Sequence, residues 1–85
     1  MDVVYLGYLI PFAEALLNNP NVSKLTLGYE PQLPKGLVFH EYFQGKNVDI
    51  INASNANKNQ AIIDACIHAD IVVVGAFSQI LKPAV

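Results

Sequence analysis

Short apolar runs alternate along this chain with stretches rich in proline, glycine and asparagine. "DVVYLGY" (2–8) is the first run; it closes on a glycine and an aromatic residue and predicts a buried β-strand. Pro11 suits the first turn of a helix, where its missing N–H would be unpaired anyway. "PFAEALLNN" (11–19) supplies helix formers until Asn19 and Pro20 end them. "SKLTLGY" (23–29) sets Lys24 and Thr26 against Leu25 and Leu27, the pattern of a strand with one face less covered. "EPQLPKG" (30–36), with two prolines and a glycine, reads as a loop. "LVFHEYFQ" (37–44) fits a short amphipathic helix and a strand equally well.

The second half repeats the alternation. "VDIINA" (48–53) is a strand, and "NKNQAIIDACIHA" (57–69) is the clearest helix. Gln60, Asp64 and His68 form its polar stripe, and Ile62, Ile63, Ala65, Cys66 and Ala69 fill the other side. "DIVVVGAF" (70–77), with four consecutive aliphatic residues, predicts a strand buried on both faces. The order β-α-β-element-β-α-β gives an α/β fold, a Rossmann-like open parallel sheet of about four strands in the order 3-2-1-4. Ligands of such sheets bind beyond the carboxyl ends of the strands, here at the switch point between strands 1 and 4.

Composition narrows the partners. Eighty-five residues make one domain, yet 53% of them are apolar and only 14% charged. That surplus predicts a homo-oligomer or a part of a larger chain, with apolar faces covered by something else. The net charge of -2 and the absence of arginine leave no footprint for nucleic acid and no bidentate clamp for phosphate. Cys66 is the single cysteine, so no internal disulfide forms and a reducing, cytoplasmic setting is expected. The apolar runs are too short to span a bilayer, and the first has no basic segment before it; neither a membrane partner nor a signal peptide is expected.

Candidate chemistry falls on the strand-to-helix loops. "GYLIPF" (7–12) has Gly7 and Tyr8 at the rim but lacks G-x-G-x-x-G, which disfavours a dinucleotide. Gly7 can equally be the residue that lets the chain turn. Glu30 lies 23 positions beyond Gly7, about where nucleotide-binding domains place a carboxylate for ribose; a solvated loop acid is the plainer alternative. Gly75, Ala76, Phe77, Ser78 and Gln79 make the best candidate rim, open at the glycine, flat and apolar at Phe77 and polar beyond it. Phe77, with Ile80 and Leu81, can instead be core of a following helix. "NASNANKNQ" (52–60) holds four asparagines: Asn57 and Gln60 have capping-box spacing, and Ser54, Asn55 and Asn57 are peripheral ligand contacts at most. Cys66 and His68 point about 200° apart on a helix and cannot share a metal. No metal site is expected, no cofactor is specified, and neither Ser54, Ser78 nor Cys66 has an identifiable base.

Two resemblances accompany these motifs. "GYLIPF", "GYEPQL", "VDIINASNANKNQAIIDAC" and "DIVVVGAFSQILKPAV" together resemble the Rossmann-like domain of the heavy-metal-chelation family, whose function is unknown. More locally, "ADIVVVGAFSQILKPAV" is similar to a strand and loop of folate-dependent formyltransferases; the resemblance implies backbone contacts to a pterin from Ser78, Gln79, Ile80 and Leu81. The catalytic Asn-x-His and Ser-Leu-Leu-Pro of that family are expected beyond Val85. The leading expectation is a domain that binds a small anionic or nucleotide-like ligand between loops 7–12 and 75–79, without a catalytic constellation. The alternatives are the N-terminal part of a formyltransferase or of an S-adenosylmethionine-dependent methyltransferase-like enzyme, and an assembly subunit docking through an apolar face.

Overall fold

The computed structural model describes residues 1–54 and 58–75. Four strands, β1 (Asp2–Gly7), β2 (Lys24–Tyr29), β3 (Asp49–Asn52) and β4 (Ile71–Gly75), form one parallel sheet in the order β3-β2-β1-β4. Helices α1 (Ile10–Leu17), α2 (Pro34–Phe43) and α3 (Gln60–His68) connect them in turn. Every strand therefore ends at the same edge, and every helix starts there. The predicted fold class and strand order are those observed.

β1 is buried between β2 and β4, and its alternation divides the core in two. Val3 and Tyr5 join Leu25 and Leu27 under Ala13 of α1 and Phe39 and Phe43 of α2. Val4 and Leu6 point the other way, onto Ala53 and Ile62 of α3. A period of two on the strands and near 3.6 on the helices makes both layers from a single chain. Thr26, expected on a less covered face, is buried on the α3 side.

The ambiguous segment 37–44 is helical through Phe43, with Gln44 as its C-cap, and α2 starts at Pro34, inside what reads as a loop from sequence. The reason is packing: Gly36, Phe39 and Phe43 are the buried residues of α2, a helical spacing, whereas a strand would have sent Glu41 inward with Phe39 and Phe43. Pro34 occupies the helix start, where its ring is pre-organised and no N–H is needed. Gly36 packs directly on the end of β2; a Cβ there would overlap the Glu30 carbonyl.

Two further expectations are corrected. β4 is not buried on both faces: it is an outer strand with one neighbour, and Ile71, Val72 and Val74 are exposed. Four aliphatic residues in a row specify a strand but not its place in the sheet. The cap of α3 is Asn59, not Asn57, because its Oδ1 accepts the N–H groups of Ala61 (3.1 Å) and Ile62 (3.4 Å). Gln60 does not reach back; its amide donates to Asp64 Oδ1 at 2.7 Å, along the predicted polar stripe. Asn59 Nδ2 also donates to the carbonyls of Asn52 (2.7 Å) and Ser54 (3.2 Å), while Asn52 Oδ1 accepts from Ser54 N–H. Half of the asparagine puzzle is thus turn and cap chemistry; Asn55 and Asn57 lie outside the described residues.

Candidate functional site

The carboxyl edge of the sheet is built around the ends of β1 and β4. Gly7 is paired with Gly75 across these parallel strands, and its φ of 154° lies where side chains are rarely tolerated. A Cβ on Gly7 would overlap the Gly75 carbonyl oxygen, so glycine is required there for close approach as well as for conformation. Tyr5, one turn of the pleat below, ties this corner together. Its fully buried hydroxyl donates to the Gly75 carbonyl (3.1 Å) and accepts from Leu9 N–H (3.2 Å). Its ring stacks on Phe12 at 5.7 Å and lies 5.9 Å from Phe39. Burial pushes the Tyr5 hydroxyl up from its ordinary pKa, partly offset by the Leu9 hydrogen bond.

Tyr8, the next predicted site residue, is half-buried, with Lys35 Nζ 5.2 Å from the centre of its ring. Together with Ile10, Pro34 and Val38 they line an open cavity of about 300 Å³ between the β1–α1 loop and the first turns of α2. Glu30 lies at the end of β2 as expected, but it is only 1% exposed and its carboxylate accepts from Gln32 Nε2 at 3.0 Å. It is a buried acid in a closed corner, not a solvated loop carboxylate. Ser54 is half-buried behind β3, its N–H and carbonyl engaged by Asn52 and Asn59. Ala76, Phe77, Ser78 and Gln79 lie outside the described residues.

Sequence reasoning missed Lys35 and Tyr5. From sequence Lys35 reads as part of a proline- and glycine-containing loop, whereas Pro34 before it marks a helix start. Tyr5 was one apolar letter in a strand, and no local signal marks its hydroxyl as a tie between two other segments.

Anion binding at the start of a helix requires free backbone N–H groups, and each of the three helices has part of its first-turn set replaced by proline or already bonded. α1 has proline at its second position, and Leu9 N–H before it is donated to Tyr5. α2 starts with proline, and the N–H groups of Gly36 and Leu37 both donate to the Leu33 carbonyl. At α3, Asn59 takes Ala61 and Ile62 N–H.

Charge is distributed unevenly between the two edges. Lys35 and Lys58 stand at the carboxyl edge, and among the described residues Glu30 is the acid there, buried. Asp2, Asp49 and Asp70 stand at the amino edge with Lys24 and Lys46; Lys24 is 3.7 Å from Asp49. A second groove of about 270 Å³ at that edge, under α3, includes Asp2, Lys24, Asp49 and His68. Its polar groups are engaged within the protein: Lys24 faces Asp49, the Asp2 carboxylate accepts from Ser23 Oγ at 3.4 Å, the Asp2 backbone N–H donates to Asp70, and His68 Nδ1 lies 2.8 Å from the Asp64 backbone carbonyl.

Among the described residues, no three His, Cys, Asp or Glu side chains converge as a metal site would require. No helix there is long and apolar enough to cross a membrane. Cys66 is half-buried on α3, and burial raises its thiol pKa, which disfavours the nucleophilic thiolate. These features define the class of the protein: an α/β domain with a four-stranded parallel sheet, Rossmann-like in strand order and flanked by helices. Comparison with family models, curated proteins and solved structures finds no match for the chain.

Proposed function

We propose that this domain binds a small anionic ligand at the carboxyl edge of its sheet, against loop 7–12 and the rim that begins at Gly75. The observation that carries the reading is the charge separation: among the described residues the exposed charges at that edge are Lys35 and Lys58, while the exposed Asp49 and Asp70 and the half-buried Asp2 stand at the opposite edge. Field lines from two exposed cations beside a low-dielectric wall favour an anion. The cavity beside Tyr8 gives that anion a place to rest. No nucleophile–base pair stands with it among the described residues, and the reading is a binding domain, as the resemblance to the heavy-metal-chelation family's Rossmann-like domain also implies. Titration of the ¹⁵N-labelled chain with acetate, inorganic phosphate and adenosine monophosphate tests it. Saturable amide shifts at Gly7, Tyr8, Lys35 and Gly75 are expected; shifts confined to Asp2, Lys24 and Asp49 would overturn it.

A second reading, a subunit that docks through an apolar face, is favoured by one observation. Val72 and Val74 of the outer strand and Ile67 of α3 are exposed, Ile67 by 62% and Val74 by 50%. Light scattering after size exclusion distinguishes it: a stable monomer at micromolar concentration counts against it.

A further inference from the structure

Resting on the carboxyl-edge reading above, we infer that the ligand is a small monocarboxylate with an apolar or aromatic body. It sits between Tyr8 and the first turns of α2, with its carboxylate on Lys35. Three observations on the same corner lead there.

The first concerns what the edge withholds. A phosphate at a Rossmann-like edge is held chiefly by backbone N–H groups at a helix start, reached through a glycine-rich turn. Here prolines stand in the first turns of α1 and α2, and the amides of Leu9, Gly36 and Leu37 already donate within the protein. Asn59 likewise occupies the start of α3. Gly7 cannot serve a pyrophosphate either, because its space is filled by the Gly75 carbonyl. A dianion would therefore arrive with few donors to replace its water.

The second concerns what the cavity supplies. Ile10, Pro34, Val38 and the Tyr8 ring are apolar, and one ammonium, Lys35, stands among them. One fixed positive charge neutralises one negative charge. Lys35 already lies over the Tyr8 ring, so a carboxylate can meet its free side while the ligand body packs on the ring and on Val38. Val38 is 59% exposed, apolar surface that such a body would cover.

The third is size. At about 300 Å³ the cavity lies at the lower limit of small-molecule sites, about 300–1,000 Å³. It suits one ring with a short acid and excludes a dinucleotide.

The test follows ¹⁵N amide shifts of the full chain against phenylacetate, its neutral counterpart 2-phenylethanol, and inorganic phosphate. Phenylacetate is expected to shift Tyr8, Lys35 and Val38 saturably. The alcohol should bind about tenfold more weakly, the discrimination expected of one charge-assisted contact. In Lys35→Gln, whose side chain is at the surface, phenylacetate should weaken by about the same factor while the alcohol is unchanged. Equal binding of acid and alcohol, or an unaltered Lys35→Gln, would overturn the proposal. Saturable phosphate shifts at these amides without phenylacetate binding would overturn the monocarboxylate and leave the broader anion reading standing. No shift at the carboxyl edge with either anion would end both.

Discussion

Replacing Gly7 by alanine tests the corner on which the proposed site depends. Gly7 has φ 154°, and a Cβ there would overlap the Gly75 carbonyl oxygen and approach the Tyr5 hydroxyl to 2.8 Å. Two costs follow. Holding a side chain in that backbone region costs about 1–3 kcal/mol. Relieving the overlap means moving the end of β4 away from β1, an overpacking cost of about 1–3 kcal/mol more. Together these are about 2–6 kcal/mol, against a total stability of about 4–13 kcal/mol for 85 residues. Gly45→Ala is the control: Gly45 also has positive φ, 86°, but nothing lies within 4 Å of its Cβ position, so only the conformational cost of about 1–2 kcal/mol remains. Urea unfolding followed by circular dichroism measures both, as midpoints at constant slope. Gly7→Ala is expected to fall well below Gly45→Ala and to lose amide-exchange protection at Val74 and Gly75 first. Equal midpoints for the two variants would refute the close approach of β1 and β4.

Tyr5→Phe removes one donor and one acceptor from a buried corner and should cost about 1–3 kcal/mol in the same assay, because Leu9 N–H and the Gly75 carbonyl lose their partner. Burial raises the Tyr5 pKa above the usual value of about 10, so its stability contribution is complete below pH 10 and is lost as pH rises through the folded value. The wild-type melting temperature should therefore drop more steeply above pH 10 than that of Tyr5→Phe; parallel profiles would show that Tyr5 is not the group responsible. Asn59→Ala should destabilise by about 0.5–2 kcal/mol through loss of the α3 cap, whereas a neutral result would return the capping role to another residue. Cys66, with its thiol pKa raised by burial, should react with a disulfide reagent at pH 7.5 more slowly than free cysteine, and at the free rate only once urea unfolds the chain.

The alternation of apolar runs with helix-forming segments determined the fold class, because strand and helix periods are local properties of neighbouring side chains. Strand order 3-2-1-4 was legible for a related reason: helical crossovers between parallel strands leave few ways to arrange four of them. Gly7, Tyr8 and Gly75 could be placed at the carboxyl edge from sequence, since any residue that ends a strand of this sheet must lie there. The tertiary structure decided what each does at that edge. "DIVVVGAF" has the letters of a central strand, but β4 has one neighbour, and which strand is outermost depends on long-range pairing. Segment 37–44 fitted two periods, and only the cover that Phe39 and Phe43 give to β1 and β2 selects the helix. Glu30 looked like a loop acid until α2 folded back through Gly36 and closed over it. Lys35 and Tyr8 are 27 positions apart; they share a cavity only because two loops leave the same edge of the sheet side by side.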